Sequence, residues 1–580
     1  MNRIMPEIIQ RLPHRLTAIV MACAMGIVSV FAQNISQIAE SDPLIITGSI
    51  GTNNTYYHSS VGNGYMSPLS NSVFANLNIN VYGFSIPFSL YFSNDNLNFN
   101  YPQFSFNLTP SYKNFTAHIG QSTIPFSNYI LNMSFNGVGL EYKGPKFRAS
   151  AFYGVLRRAI NDNPEDLNPR KPQYKRYGWG FSTGYGNGAN SIDIYFLRAY
   201  DSEGSLNEVW REQVQSQENL LVGIKGCVSF KNRVSLSANL ATSAFTADKN
   251  SPKVTAGEAT RFDKVFEAKY TSQVRFAGDA SLSFNLPWLN ASVSYKMIQP
   301  DYVSLGTYYT SNNYHSLGVN LSTTLFKQIM LSGSFSGQSD NLSKQKQYTT
   351  KGYVYNAMAA WNKGNVSLSA MYNGYLQAQS DGTLQVNDTT EVHRILHSMS
   401  LMTNYSLSRT NLDHTFSLSG NYTINKDLNK FSVGQSDVNT MALGASYMMN
   451  VKPWETSFTL ALSHQETKGF NSVYRSDVAS LSTGRSFLKE KNLNVSATVS
   501  LNYNEVQHQS KSLSMGIDLS AGYTLKKYHT FSLTGSVSKY GDVNVTKTTS
   551  GLDATDVRIS LNYLYTFTLL HISKKKKTKK

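Results

Sequence analysis

Charge, cysteine and long apolar runs are all scarce in this chain. Only 15% of its 580 residues are charged, against roughly 25% in soluble domains, so an ordinary cytosolic enzyme is a poor fit. Two cysteines exclude a disulfide scaffold and a Cys-rich zinc site. Mean hydropathy is −0.30, and only the N-terminus approaches the run of about 20 apolar residues that a membrane helix needs. A helical membrane protein is thereby excluded. There is no Gly-x-x-x-x-Gly-Lys-Ser/Thr loop, no His-Glu-x-x-His and no EF-hand pattern. Aromatic residues, by contrast, are plentiful: 36 Tyr, 30 Phe and 5 Trp argue against a disordered chain.

The first residues read as a targeting segment. Arg3, Arg11, His14 and Arg15 precede an apolar stretch over 16–30, which ends Val30-Phe31-Ala32. This small-x-Ala pattern predicts a signal peptide over 1–32 with Gln33 as the first mature residue. Lipidation at Cys23 is rejected because the apolar run continues to Phe31. Cleavage leaves Cys227 alone, and 49 basic against 35 acidic residues give +14. Six of the basic residues are the terminal lysines, from Lys574 to Lys580, read as a solvated tail (571–580) that meets no nucleic acid; the functional alternative is contact with anionic headgroups.

After residue 43 the pattern is apolar-polar alternation over 9–13 residues, the mark of strands with two different faces. In the last segment Val557, Ile559, Leu561, Tyr563, Tyr565 and Phe567 alternate with Arg558, Ser560, Asn562, Leu564 and Thr566. Connections alternate in length. Short turns are expected at 143–145, 186–188, 231–232, 287–288, 327–328, 362–365, 489–492 and 526–527. Longer polar links are expected at 157–176, 201–217, 246–271, 338–350, 377–394, 425–437, 465–475 and 540–555. Strands of 9–13 residues suit a membrane crossing better than a sandwich, whose strands average about 5–6. The polar face is mostly Ser, Asn, Thr and Gly, which suits a wet lumen. Tyr142, Trp288, Tyr295, Trp361 and Trp454 are candidates for interfacial girdles.

Together these features resemble a Gram-negative outer-membrane β-barrel, porin-like or export-type. Tyr563-x-Tyr565-x-Phe567 is similar to the C-terminal strand signal read by the barrel-assembly machinery, although 13 residues follow it. The hairpin over 137–154 resembles barrels common in Bacteroidota. The expected fold is therefore all-β: a transmembrane antiparallel barrel over 44–570, with about 26 strands (22–26), short periplasmic turns and longer extracellular loops. The first strand is placed at 44–52, and 53–63, with His58, is read as a loop. The likeness implies location in the cell outer membrane, among its lipid and lipopolysaccharide. Only the short segment 33–43 precedes the first strand, too little for a plug domain. Loops or a partner, a plug protein or a lipoprotein, are expected to restrict the lumen.

No chemistry stands out. His58-Ser59-Ser60 and Asp413-His414 are chance juxtapositions of common residue types, so neither an enzyme nor a cofactor is expected. By strand parity the lumen receives Lys143, Arg148, Lys225, Arg275, Lys296 and Arg558 against Glu141, Asp193, Asp279 and Asp518, a mild basic bias. The loop 157–176 carries Arg157, Arg158, Arg170, Lys171, Lys175 and Arg176, and would form an anion-attracting constriction if it folded inward. The function expected is a channel or transport pore for polar solutes or polymers. The alternative is a partner-dependent export or assembly component, or a structural surface barrel.

Overall fold

The computed structural model describes residues 42–572, apart from 63–66, 83, 95–103, 164–169, 255–265, 310, 388, 390, 433, 470, 489, 508–509 and 543–552. The expected signal peptide and the lysine run lie outside the described residues.

Alternation does produce strands throughout. The first nine are β1 (Leu44–Ser59), β2 (Leu69–Val81), β3 (Phe84–Ser93), β4 (Phe104–Leu108), β5 (Ser111–Tyr112), β6 (Phe115–Ser122), β7 (Phe135–Lys143), β8 (Phe147–Arg157) and β9 (Lys175–Gly186). The next nine are β10 (Ser191–Ser202), β11 (Glu218–Phe230), β12 (Val234–Thr246), β13 (Ser272–Asn285), β14 (Asn290–Ile298), β15 (Tyr314–Leu325), β16 (Ile329–Asp340), β17 (Tyr348–Lys363) and β18 (Val366–Asp381). The last nine are β19 (His393–Ser408), β20 (Leu412–Asp427), β21 (Val438–Val451), β22 (Thr456–Gly469), β23 (Ser472–Phe487), β24 (Leu493–Val506), β25 (Ser510–Leu525), β26 (His529–Asp542) and β27 (Ala554–Ile572). One short helix, α1 (Glu208–Gln213), is capped by Asn207, whose side chain accepts from the Trp210 backbone N–H.

Each strand pairs antiparallel with its sequence neighbours, and β27 returns to β1 from Leu44↔Ile572 to Ser59↔Asp556. The sheet is closed. β4 and β5 are one stave interrupted at Thr109 and Pro110, since both pair with β3 and with β6. The Ala117 N–H, which the break would orphan, donates to the Pro110 carbonyl at 2.8 Å. Twenty-seven strands thus make a 26-stave barrel, as the alternation predicts.

The two faces separate by chemistry. Following the register around the barrel, Ile50, Tyr565, Phe531, Leu519, Val499, Leu481, Leu460 and Tyr447 share the outer face. The opposite face carries mostly Ser, Asn, Thr and Gly. Only this sorting satisfies both solvents, because lipid offers no partner for polar side chains. At outward-facing Gly374 an aromatic covers the backbone, and a Cβ there would run into the Tyr355 ring. The short turns 231–232, 326–327 and 526–527 have φ near +50° to +64° at both residues, the primed geometry whose twist matches antiparallel strands.

All the short turns expected from sequence fall at one rim, together with both ends of the described chain; the long connections fall at the other. Short turns are periplasmic in this architecture, which puts the long connections outside. Three expectations change. First, residues 53–59, read as loop, continue β1, because Asn53, Thr55 and Tyr57 face the polar lumen and the outer residues of the stretch lie beyond the apolar band. Second, the link expected at 465–475 is nearly all strand, with β22 running to Gly469 and β23 starting at Ser472. Third, strands on that side are longer than the 9–13 residues expected: β17, β18, β19, β20, β23 and β25 each have 16, so they project past the hydrocarbon. Leu569 is skipped between the Ile46↔Leu570 and Thr47↔Thr568 pairs, a bulge that re-aims the end of β27.

Two measurements check this arrangement. Leu561 faces outward, whereas Asn562 faces inward and donates to Ser532 Oγ at 3.2 Å. Leu561→Arg should cost about 2–4 kcal/mol of barrel stability, and Asn562→Arg about 1 kcal/mol, the value of the lost hydrogen bond. Equal costs would mean the register is slipped by one. In a Cys227→Ser background, Lys171→Cys should react with an impermeant thiol reagent on intact cells and Asn232→Cys should not; the reverse would invert the barrel.

Candidate functional site: the lumen and its inner shelf

Two connections on the long-loop side fold into the barrel. Segment 123–134, between β6 and β7, and the described residues of 299–313, between β14 and β15, lie against the inner face of β7 to β15. Ile130, Leu131, Tyr302 and Leu305 from the segments pack with Phe135, Phe152, Leu197, Leu221, Ala241, Ala277 and Ile298 from the wall. Ile130, Tyr302, Leu197 and Leu221 are fully buried. Burying each such side chain contributes about 1.5–3 kcal/mol, which offsets the ordering of two long connections.

Polar atoms inside the shelf are paired. Tyr129 Oη donates to Asp279 Oδ1 at 2.6 Å, and Ser127 Oγ to Asn239 Oδ1 at 2.9 Å. Tyr302 Oη donates to the Tyr129 carbonyl at 2.9 Å, and Ser304 Oγ to the Ile130 carbonyl at 2.7 Å. Buried Asn219 donates to Ser243 Oγ and accepts from the Leu305 N–H. Burial and the neighbouring Asp279 push the Tyr129 phenol up, so it stays a donor. Close backbone approach also requires a small residue: a Cβ on Gly306 would lie 2.4 Å from the Ile130 carbonyl oxygen.

The charges expected in the lumen share one face, but they are unevenly distributed. Arg148 forms a two-pronged pair with Asp193, at 2.5 Å and 2.6 Å, and donates to the Gly186 carbonyl. Lys225 lies opposite Asp193 across the β10–β11 ladder. Arg275 donates to the carbonyls of Pro300 and Val274 at 3.0 Å, beneath the shelf. Lys296 lies over the rings of Tyr129 and Tyr314. Arg558 stands apart on β27, separated from Asp518 by Ser536. Away from strand ends, Asp518 and Arg558 are the charges on the inner wall from β15 through β27 to β3, among the described residues.

The described residues of the basic loop 157–176 are tied to their neighbours. Arg157 and Arg176 both reach buried Asp201, at 3.5 Å and 2.7 Å. Arg170 pairs with Asp162, whose carboxyl is thereby held below its usual range. The Arg158 carbonyl accepts from Gln173, and Lys171 is exposed. Tyr174 packs with Leu206 and Trp210 of the next connection, and Trp210 Nε1 donates to the Asp162 carbonyl at 2.8 Å. Loops were expected to restrict the lumen, but segments 123–134 and 299–313 were not singled out in the sequence. The signal is present: Ile124, Phe126, Tyr129, Ile130, Leu131 and Met133 make 123–134 too apolar for a solvated loop.

The juxtapositions set aside for catalysis separate in space. Asp413 faces inward toward Ser408 and Lys452, while His414 faces outward and bonds Tyr447. His58 and Ser59 point to opposite faces of β1.

No family profile and no curated protein matches the chain. Among solved structures it is similar to the P pilus usher (PapC) translocation pore, at 11% identity over 90% of this chain and 100% of that one, with a TM-score of 0.34. It is also similar to Acinetobacter baumannii OccAB1, at 14% identity over 68% and 96%, TM-score 0.30. Pseudomonas aeruginosa OprD shows 10% identity over 65% and 94%, TM-score 0.30. At these values the similarities carry no information on activity. Closure of the sheet and its apolar outer face decide the class. The chain is an outer-membrane-type β-barrel.

Asp193→Asn would leave Arg148 as an uncompensated luminal cation. In a potassium chloride gradient across a planar bilayer, the reversal potential should shift toward chloride. An unchanged potential would place the Arg148–Asp193 pair outside the ion path.

Proposed function

We propose that the barrel is a conduit for large hydrophilic solutes or polymers of low charge. The observation that supports this most is the inner wall from β15 to β3. Its rows of Ser, Asn and Thr bond to one another, as in Asn421 Nδ2 to Ser400 Oγ at 2.7 Å and Asn356 Nδ2 to Ser334 Oγ at 3.0 Å. Such a wall stays wet without holding counter-ions, and hydrogen-bonds a passing polymer without trapping it. Barrels of 16–18 strands already leave an aqueous channel. A 26-stave barrel needs narrowing, and the shelf supplies it along one side.

A shelf covering part of the circumference also favours a partner, a plug protein or lipoprotein, that closes the remainder. The N-terminal 32 residues, as an export signal, and the barrel-assembly machinery, as the folding catalyst, belong to the same reading. Arg148, Lys225, Arg275 and Arg558 give the lumen a slight anion preference on this account, and Arg157, Arg158, Arg170 and Lys171 line its outer mouth.

In a planar bilayer the isolated protein should give large, flickering conductance with a slight anion preference. Ile130→Asp, which puts a charge in the dry centre of the shelf, should raise conductance while leaving heat-modifiable gel migration, the sign of a closed barrel, unchanged. A closed barrel that conducts in neither form contradicts the proposal.

A further inference from the structure

On the outer face of β21 to β25 the apolar surface is interrupted. Leu443, Ala445, Leu462, Ala479, Leu501 and Leu513 line a groove of about 700 Å³, deepened by the two alanines. On the long-loop side the groove ends at His464, whose Nδ1 lies 2.6 Å from Asp477 Oδ1. One rung further, Glu466, Arg475, Glu505 and Lys511 face one another in a single row across four strands.

The charges in this row are layered. Glu466 bridges Lys468 at 2.7 Å and Arg475 at 2.8 Å, and Glu505 holds Lys511 at 3.3 Å. The carboxylates lie beneath, 14% and 21% exposed, while Lys468, Arg475 and Lys511 present 60%, 45% and 41% of their side chains outward. Asp477, 51% exposed beside His464, is the anion at the end of the groove; the row beyond it presents its cations outward, at the height where β25 passes from seven apolar outward positions, Leu525 to Leu513, to Lys511.

We propose that this is a binding site for one phosphorylated glycolipid of the outer leaflet. An acyl chain lies in the groove over Ala445 and Ala479, and a headgroup phosphate is held by Lys468, Arg475 and Lys511. Continuity between an apolar channel and a cationic rim matches an amphiphile whose charge sits at the hydrocarbon boundary. A soluble anion would use the rim alone, and a neutral lipid the groove alone.

The full-length protein, purified in detergent and delipidated, is titrated with bis-phosphorylated lipid A and read by native mass spectrometry. One retained molecule is expected. Lys468→Gln/Arg475→Gln/Lys511→Gln should lower retention at least tenfold, and Ala479→Trp, which fills the groove and leaves every charge in place, should lower it as well. Lys351→Gln/Lys426→Gln, at outward lysines on β17 and β20, should not. Dephosphorylated lipid A should bind weakly to every form. Equal losses in the two lysine sets, full retention by Ala479→Trp, or equal binding of dephosphorylated lipid or of phosphatidylglycerol would each overturn the assignment. Heat-modifiable migration confirms that each variant is a closed barrel.

Discussion

Everything in this fold depends on returning the last strand to the first. In hydrocarbon an unpaired backbone N–H or C=O costs several kcal/mol, so an open sheet of this size has no stable form in a bilayer. The β1–β27 ladder removes both edges at once. Pairing leaves side chains as the only variable, and period-two alternation then assigns one face to lipid and the other to water. The stave built from β4 and β5 is interrupted at a proline and recovers its hydrogen bond through the Pro110 carbonyl.

The lumen obeys a second constraint, set by its width. Twenty-six staves enclose more space than wall side chains fill, and the chain answers on one side. Segments 123–134 and 299–313 extend the wall inward as a miniature soluble core, with its own apolar centre and satisfied polar atoms. Most luminal charges sit on that side, where they brace the shelf, as Asp279 does by accepting from Tyr129, or pair with one another, as Arg148 does with Asp193. The opposite wall is left almost neutral, and that division is the basis of the functional proposal.

Much of this was legible in the sequence, for physical reasons. Strand faces were readable because lipid and water impose opposite chemistry on adjacent residues, so Leu561 and Asn562 declare their sides. Stave number and rim asymmetry followed from turns such as 231–232 and 526–527, where tight geometry leaves little ambiguity. Strand ends on the long-loop side were not readable. Past the hydrocarbon the outer face turns polar, so Glu466, Lys468 and Arg475 look like loop although the ladder continues through them. The shelf was hidden for the converse reason. Its residues are apolar without period two, and a sequence read for alternation passes over 123–134 in silence. The basic loop 157–176 was visible as charge, but its partners Asp201 and Asp162 become apparent only once the chain is folded.

The central claim is that the neutral inner wall faces water. Single cysteines placed along β20, in a Cys227→Ser background, test it directly through their reaction with an impermeant thiosulfonate. Ser417, Ser419, Asn421 and Thr423 should label as cysteines, and Leu418, Gly420 and Tyr422 between them should not. Alternation with that phase means a wet lumen lined by this wall. Silence at all seven positions would mean a dry, packed interior, and the conduit account would be wrong.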